Sequence, residues 1–333
     1  MARPKDAPSK DWPDVRLHVV TGKGGTGKTT AAGALALALA SGGGRVLIVE
    51  VEGRQGLAQL FDTPPLGYAE ERLAPAPEGG EVFGLAVDPE DALLEYLELF
   101  YRMRSAGRLL DRFGVVDFAT TIAPGLRDVL LTGKVYEAVG KRRAGRREYD
   151  AVVLDAPPTG RIARFLNVNS EVAGLAKVGP IRSQADSIMG LLRSRRTAIH
   201  VVTLLEEMPV QETVDAVAEL AEIGLPVGGI VLNMLRSAPL RPTDLAAAAK
   251  DALPRAEVLA GLGAAGVEAT PETVAVLLEE AREAAERAAL ERRERRRVSA
   301  LGRPMYALPL LADGMDLGGL QDLAAELAAQ GAA

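Results

Sequence analysis

The chain has 333 residues, of which 48% are hydrophobic and 25% charged, and its formal net charge at pH 7 is −6. This composition is typical of a soluble globular protein with one large or two ordinary domains, and it excludes a disordered, collagen-like or coiled-coil chain. The acidic charge argues against a surface that wraps nucleic acid. Because the chain has no cysteine, disulfides, thiolate metal sites and a cysteine nucleophile are excluded.

Apolar runs that alternate with helical patterns predict the strands of one sheet. Such runs occur at residues 15–21, 45–51, 81–88, 149–154, 198–204 and 227–232. The first run is followed by an Ala- and Leu-rich helix predicted at 29–40, and a long charged helix is predicted at 271–297. Near-continuous apolar strands separated by helices favour a parallel sheet covered on both faces. The predicted fold class is therefore α/β, with a mostly parallel, doubly wound sheet.

Two helix-rich stretches interrupt this alternation, at about residues 89–140 and 165–196. We interpret them as a helical subdomain that is inserted into the α/β core and packs on it. The rest of the chain divides into a flexible N-terminal tail at 1–14 and one domain at 15–331. No apolar stretch approaches the roughly 20 residues of a membrane-spanning helix, so we expect a cytoplasmic protein without stable membrane insertion.

A glycine-rich segment, GKGGTGKT, lies between the first strand and the first helix and fits the pattern G-x-x-x-x-G-K-[ST]. Its glycines let successive backbone N–H groups point at phosphate oxygens, and the helix N-terminus adds partial positive charge. We expect Lys28 to bridge the β- and γ-phosphates and the Thr29 hydroxyl to bind Mg²⁺. This phosphate-binding loop (P-loop) predicts nucleotide-binding residues Gly24, Gly25, Thr26, Gly27, Lys28, Thr29 and Thr30.

Two polar residues at strand ends extend this site. Asp155 ends the apolar strand AVVLD, where a carboxylate beside a P-loop is suited to hold Mg²⁺ through water. Asn233 ends a later strand in the sequence VLNMLR, which lacks the Asp of the N/T-K-x-D motif that reads guanine. An Asn side chain can pair with the N6/N7 edge of adenine, so the predicted nucleotide is ATP.

The string GKGGTGKTT resembles the deviant P-loop of the SIMIBI class of dimeric NTPases. The segment DAPPTG, which begins at Asp155, resembles switch II of the ArsA and tail-anchored-protein-targeting ATPase family. The resemblance covers roughly residues 15–327 and implies a P-loop ATPase in which two subunits enclose two ATP molecules. The partner is then a second copy or a paralogue. In this class the early lysine reaches the partner's nucleotide, which makes Lys23 a catalytic residue in trans.

The resemblance also assigns switch I, which follows the second strand and reads D-P-A-H in the family. The matching stretch here begins at Glu52, so the carboxylate expected to orient the attacking water is a Glu in place of an Asp. An added methylene moves that carboxylate, and a misplacement of about 1 Å can cost about 10²-fold in rate. Glu50, on the same face of the strand, is the competing candidate. The sequence therefore predicts ATP binding and leaves the efficiency of hydrolysis open.

The remaining family features concern the base and the client. Asn233 matches the family's adenine-contacting Asn, and Pro309 lies in a segment that resembles the loop packed on the base. Residues 91–140 resemble the client-side helical subdomain, whose apolar side chains either form its core or line a groove for hydrophobic protein segments. An arsenite-activated site is nearly excluded because arsenite is captured by thiolates.

Three functions from different classes remain open on this reading. The first is an ATP-driven carrier for hydrophobic protein segments, and the second is a nucleotide-sensing regulatory switch with negligible turnover. The third is a positioning ATPase similar to ParA and MinD, against which the long helical insertion argues. The basic segments 141–147 and 292–297 are interpreted as solvated, with contact to anionic lipid as the alternative for the second. His18 and His200 are expected to be core residues.

Overall fold

The computed structural model describes residues 11–101, 125–175, 180–238, 240–312 and 314–333. Within these residues, eight strands form one sheet and two short strands form a hairpin. The strands in chain order are β1 Leu17–Gly22, β2 Arg45–Glu50, β3 Glu71–Pro75, β4 Glu81–Ala86, β5 Arg142–Arg143, β6 Arg146–Arg147, β7 Ala151–Asp155, β8 Thr197–Thr203, β9 Val227–Leu235 and β10 Met305–Pro309.

The sheet has the order β10-β9-β8-β1-β7-β2-β4-β3, with β1 near the centre. All neighbouring strands are parallel except the edge strand β3, which runs antiparallel to β4. Because parallel strands end at the same edge, the carboxyl ends of β1, β2, β7 and β9 meet there. This arrangement confirms the predicted α/β class with a mostly parallel sheet.

Helices cover both faces of the sheet. The helices of the described residues are α1 Lys28–Ala40, α2 Gly56–Leu60, α3 Pro89–Tyr101, α4 Leu126–Gly140, α5 Thr159–Leu175, α6 Pro180–Leu192, α7 Glu207–Glu222, α8 Pro242–Ala248, α9 Arg255–Ala264, α10 Pro271–Ser299 and α11 Leu317–Ala329. Alternate residues of a strand point to opposite faces. Leu17 and Val19 accordingly share a core with α4, α5 and α6, while Val20 packs with α1 and α11.

The helix-rich stretches form a layer on one face of the sheet. Neighbouring helices α3 and α4, α4 and α5, and α5 and α6 pack on one another. Their buried side chains, among them Leu131, Phe165 and Ile188, belong to the same core as Leu17 and Leu154 of the strands. The layer formed by α3 to α6, called the helical layer below, therefore shares its core with the sheet. Residues 102–124 of the predicted subdomain lie outside the described residues.

Among the strands, the sequence patterns did not predict three features, which are β3, β10 and the β5–β6 hairpin. Strand β3 contains a proline and two exposed charged residues and so has no continuous apolar run, whereas β10 is apolar but only five residues long and ends in a proline. The third feature is the β5–β6 hairpin, which lies between the helix-rich stretch predicted at about residues 89–140 and the strand predicted at 149–154, where no apolar run indicates a strand. Its arginines are all exposed, in accord with the solvated turn predicted at 141–147.

The predicted tail has an ordered part. Residues 1–10 lie outside the described residues, but the Asp11 backbone N–H donates to the Gly331 carbonyl at 2.9 Å. The Trp12 indole donates to the Tyr306 hydroxyl at 2.8 Å, and that hydroxyl donates to the Asp11 carboxylate at 2.7 Å. Asp11 and Trp12 are thus bound to β10 and to the C-terminal segment.

His18 and His200 are buried in the sheet, as predicted. Their rings stack with centroids 5.3 Å apart, and His18 Nδ1 lies 3.1 Å from His200 Nε2. The Gly229 backbone N–H donates to His200 Nδ1 at 3.1 Å, so His200 carries its proton on Nε2 and donates it to His18. Burial lowers the pKa of both rings, that of His200 to about 4. Both rings are therefore neutral at pH 7.

Candidate nucleotide site

Two glycines of the P-loop lie so close to neighbouring atoms that neither position has room for a Cβ. A Cβ on Gly22 would lie 2.3 Å from the Val202 carbonyl oxygen of β8, and one on Gly27 would lie 2.3 Å from Asn233 Nδ2. Gly27 also has a φ of +82°, in the left-handed region that favours glycine. Gly27 is the N-cap of α1, and no side chain caps that end. The first N–H groups of α1 therefore remain available to an anion, as predicted for a phosphate site.

Thr29 and Asp155 meet at the start of α1. Thr29 Oγ1 donates to Asp155 Oδ2 at 2.7 Å, while Asp155 Oδ1 is buried and has no hydrogen-bond partner. Burial raises the pKa of Asp155 to about 6, helped by the nearby carboxylates of Glu50 and Glu52 and opposed by the Thr29 hydrogen bond and by Lys28. A cation at this point would relieve that cost, because it favours the ionised carboxylate.

The oxygen donors at this site suit Mg²⁺ better than they suit a metal ion whose ligands all come from the protein. Oxygen donors such as the Thr29 hydroxyl and the free Asp155 oxygen are those that Mg²⁺ prefers, and the ion usually keeps several waters and phosphate oxygens. Among the described residues, no group of three or more His, Cys, Asp or Glu side chains could hold a metal ion. The site is therefore suited to an ion that arrives with a nucleotide and water.

The two candidate carboxylates of switch I have different surroundings. Glu50 is paired in register with Asp155 on neighbouring strands and is only 3% exposed. Its Oε2 accepts the Leu57 backbone N–H of α2 at 3.0 Å, and its Oε1 has no partner. Glu52 lies further out, with its oxygens 3.9 Å from Arg161 Nη1 and 3.8 Å from Arg54 Nε. Glu50 thus has a structural contact, and Glu52 remains the predicted water-orienting residue.

Lys23 forms an ion pair within its own subunit. Its Nζ lies 2.8 Å from Glu212 Oε1, and Glu212 Oε2 accepts the Thr159 hydroxyl at 2.9 Å. The hydrogen bond from Lys23 lowers the pKa of Glu212. Glu212 lies on α7, far from the P-loop in sequence, and no motif marks it. Only the folded arrangement brings it to Lys23, so sequence analysis missed it.

Asn233 supports the P-loop backbone. Its side chain is 4% exposed and its Nδ2 donates to the Thr26 carbonyl at 2.9 Å. The next residue, Met234, is 40% exposed and has a φ of +54°. Pro309, exposed at the end of β10, pairs in register with Leu235 of β9. The structure thus brings Asn233 to the P-loop and Pro309 to the adjacent strand end, and their contact with adenine remains a prediction.

A second residue missed by sequence analysis is Arg161, near the start of α5. Its Nη1 lies 3.9 Å from Glu52 and its Nη2 lies 3.6 Å from Asp128 of α4. It follows the switch II segment directly in sequence, so its position was a usable signal. Arg161 therefore joins switch I to the helical layer through one guanidinium.

A family model described as anion-transporting ATPase matches residues 15–193. The matched range contains the P-loop, switch I and Asp155, and it covers more than half of the chain. The chain belongs to the anion-transporting ATPase family. It is accordingly an ATPase of this family, which confirms the resemblance and the ATP-dependent activity inferred from the P-loop and switch II.

Full-length and partial relatives support this membership. ATPase BagA of Mycobacterium tuberculosis is 53% identical over 97% of this chain and 96% of its own length. A putative arsenical pump-driving ATPase of Aquifex aeolicus is 25% identical over 69% of this chain and 83% of its own length. An arsenical pump-driving ATPase of Escherichia coli is 28% identical over 69% of this chain and 41% of its own length. Sequence similarity to these ATPases thus extends over most of the chain.

Proposed function

We propose that this anion-transporting ATPase is a cytoplasmic, Mg²⁺-dependent dimer whose nucleotide state is transmitted to the helical layer. The observation that carries the proposal is the 2.7 Å hydrogen bond from Thr29 to Asp155 beside the uncapped start of α1. It combines a phosphate site, a hydroxyl and a buried carboxylate with one free oxygen. This combination suits Mg²⁺-ATP and has no evident structural purpose.

In this proposal the chain's own residues bind and orient the reacting groups. Lys28 and the backbone N–H groups of residues 24–30 bind the phosphates, while Thr29 and Asp155, the latter through water, hold the ion. Mg²⁺, when bound, neutralises charge on the phosphate oxygens. Glu52 orients a water molecule that attacks the γ-phosphorus. The bond to the bridging oxygen breaks, ADP leaves, and the proton of water passes to the phosphate products or to solvent.

The dimer supplies what one subunit lacks. Lys23 would cross to the nucleotide of a second copy or of a paralogous chain, where its charge stabilises the transferred phosphoryl group. Asn233 and Pro309 would contact the adenine from the ends of β9 and β10. The free hydrogen of the Asn233 amide is compatible with this role because its other hydrogen serves Thr26.

The helical layer offers a place for an apolar client. A cavity of about 290 Å³ opens between α3, α4 and α6. Its lining combines apolar and aromatic residues with a glutamine and three charged residues: Tyr68, Ala92, Glu95, Val129, Leu130, Gly133, Lys134, Tyr136, Glu137 and Gln184. Its volume is at the lower end of ligand pockets, so it suits a few side chains of a hydrophobic protein segment. We propose that such a segment, or a partner protein, binds this layer.

Calorimetry of ATP with Mg²⁺ tests the nucleotide site directly. We expect binding by the wild-type protein and its loss in Lys28→Ala, because Lys28 is placed at the phosphates. Lys250→Ala is the matched control, since Lys250 is exposed at the end of α8. Binding that is equal in all three proteins would contradict the proposed site.

The nucleotide-sensing switch remains the second candidate, favoured by the arginines that face Glu52. Single-turnover hydrolysis by Glu52→Gln and Glu50→Gln distinguishes which of these two carboxylates orients the attacking water. We expect Glu52→Gln to slow hydrolysis about 10²-fold with little loss of ATP affinity if it orients water. Equal rates in wild type and Glu52→Gln would remove Glu52 from the mechanism. Stimulation of steady-state turnover by a membrane-segment peptide would favour the carrier over the switch.

A further inference from the structure

One carboxylate, Glu212, joins the P-loop to the start of the helical layer. Its two oxygens are used differently: Oε1 lies 2.8 Å from Lys23 Nζ and Oε2 accepts the Thr159 hydroxyl at 2.9 Å. Lys23 is part of the P-loop, and Thr159 is the first residue of α5. The Glu212 carboxylate therefore bridges the P-loop and the first turn of α5.

The ion pair is weak enough to be exchanged. The side chains of Lys23 and Glu212 are 30% and 34% exposed, and solvent-exposed ion pairs contribute little to stability. A triphosphate carries several negative charges, so it can attract the Lys23 ammonium more strongly than one carboxylate does. Within the described residues, Glu212 is the only acidic side chain in an ion pair with Lys23.

The other half of the contact acts on α5. The Glu212 carboxylate lies at the N-terminal end of this helix, where negative charge stabilises the helix dipole. Helix α5 packs on α4, α6 and α7, so a change at its first turn reaches the helical layer through a rigid element. When Lys23 leaves, Glu212 loses its cation but keeps the Thr159 hydroxyl. A change in the position of Lys23 would therefore alter the charge beside the first residue of α5.

We infer that Glu212 is a positioning residue that competes with nucleotide phosphates for Lys23 and couples the departure of Lys23 to the start of α5. The inference rests on the proposed function, because it requires a nucleotide at the P-loop. It goes beyond that function by naming the group that restrains Lys23 within its own subunit. Nucleotide binding must then supply the free energy that breaks the Lys23–Glu212 pair.

The test uses Glu212→Gln, which removes the charge but keeps an oxygen that can accept from Thr159. We expect this variant to bind a non-hydrolysable ATP analogue with Mg²⁺ roughly two- to fivefold more tightly than wild type, because Lys23 is freed. In a Lys23→Met background the same substitution should leave the affinity unchanged. Glu219→Gln, an exposed position on the same helix, is the matched control and should behave as wild type.

The double-mutant cycle separates this role from a general effect on folding. An affinity of Glu212→Gln equal to that of wild type, or a change of the same size in the Lys23→Met background, would contradict the inference and leave the proposed function intact. Absence of binding by wild type and Glu219→Gln would contradict the proposed function itself, and the inference with it. Urea unfolding of each variant verifies that it is folded.

Discussion

At the scale of single residues, Gly27 shows how a distant side chain fixes the P-loop. Asn233 holds the Thr26 carbonyl from β9 and occupies the space where a Cβ on Gly27 would lie. The pattern G-x-x-x-x-G-K-[ST] predicts the glycine, but the partner that requires it is two hundred residues away. This contact could not be read from the motif because it depends on the order of the strands.

Substitution of Gly27 tests this steric argument. Gly42 has the same φ of +82° but nothing within 4 Å of its Cβ position, so Gly42→Ala carries the backbone strain alone, about 1–2 kcal/mol. We expect Gly27→Ala to lose more stability and also to weaken ATP binding at least tenfold, because it displaces Asn233. Urea unfolding and calorimetry provide the two measurements. Equal stability and equal ATP affinity of the two variants would show that the Asn233 side chain can move aside without a loss of free energy.

The histidine pair predicts a pH dependence of stability. Burial lowers the folded-state pKa of His200 to about 4, whereas an unfolded histidine titrates near 6.5. The unfolded chain therefore takes up protons first, and stability falls on the order of 1–3 kcal/mol as pH decreases from about 6.5 to about 4. The raised pKa of Asp155 acts in the opposite direction over part of this range.

A variant without the two histidines isolates their contribution, because the chain has no others. His18→Gln combined with His200→Gln keeps Asp155 and removes the imidazoles. We expect the urea midpoint of wild type to fall from pH 7 to pH 5 and that of the double variant to fall less. Parallel pH profiles of the two proteins would exclude the pair as the source.

At the scale of elements, the sequence patterns predicted the buried strands of the sheet and missed the strands at its two edges. Strands β1, β2, β7 and β8 are buried on both faces and have continuous apolar runs, so their positions were predicted within two residues. Strand β10 is partly exposed, and β3 runs antiparallel to its neighbour β4. For such strands the neighbouring strand, and not the local sequence, decides the conformation.

The first turn of α5 is the element where the site and the helical layer meet. Arg161 lies between Glu52 and Asp128, and burial raises the pKa of Asp128 while Arg161 lowers it. Arg161→Ala leaves this carboxylate with less compensation, so we expect a loss of about 1 kcal/mol of stability at pH 7. Arg195→Ala, at an exposed position that forms no ion pair with the other described residues, should change stability by less than about 0.5 kcal/mol.

The pH dependence of this variant identifies the cause. Below the pKa of Asp128 its carboxyl group is neutral, and the cost of removing Arg161 should decrease there. Urea unfolding at pH 7 and pH 4 measures the difference. A cost that is independent of pH would assign the effect of Arg161 to packing instead of charge.

At the scale of the whole molecule, the parallel sheet places the candidate residues at the carboxyl ends of its strands, and the helical layer packs on one face of this sheet. The fold class was predictable from apolar runs that alternate with helical patterns, and the positions of the P-loop, Asp155 and Asn233 were predictable because each lies at or near the carboxyl end of an apolar strand. The contacts of Glu212 and Arg161 were not predictable, since they depend on how α7 and α5 pack. Among the described residues no helix is both long and apolar enough to cross a membrane.

The proposed dimer gives the molecule-scale prediction. We expect Mg²⁺-ATP to shift the sedimentation of the wild-type protein towards a dimer, alone or with a paralogous chain. Lys23→Met should still bind ATP through Lys28 but hydrolyse it at least tenfold more slowly, because the charge supplied in trans is lost. Lys250→Met is the control. Full activity of Lys23→Met would contradict the role in trans.

The contact of Trp12 with Tyr306 and His200 has a practical consequence. Trp12 is the only tryptophan in the chain, and its ring meets the His200 ring edge-on with centroids 5.4 Å apart. Intrinsic fluorescence excited at the indole band therefore reports a single location, where the N-terminal segment, the edge strand and the centre of the sheet converge. One optical signal can thus follow the detachment of that segment during unfolding without any added label.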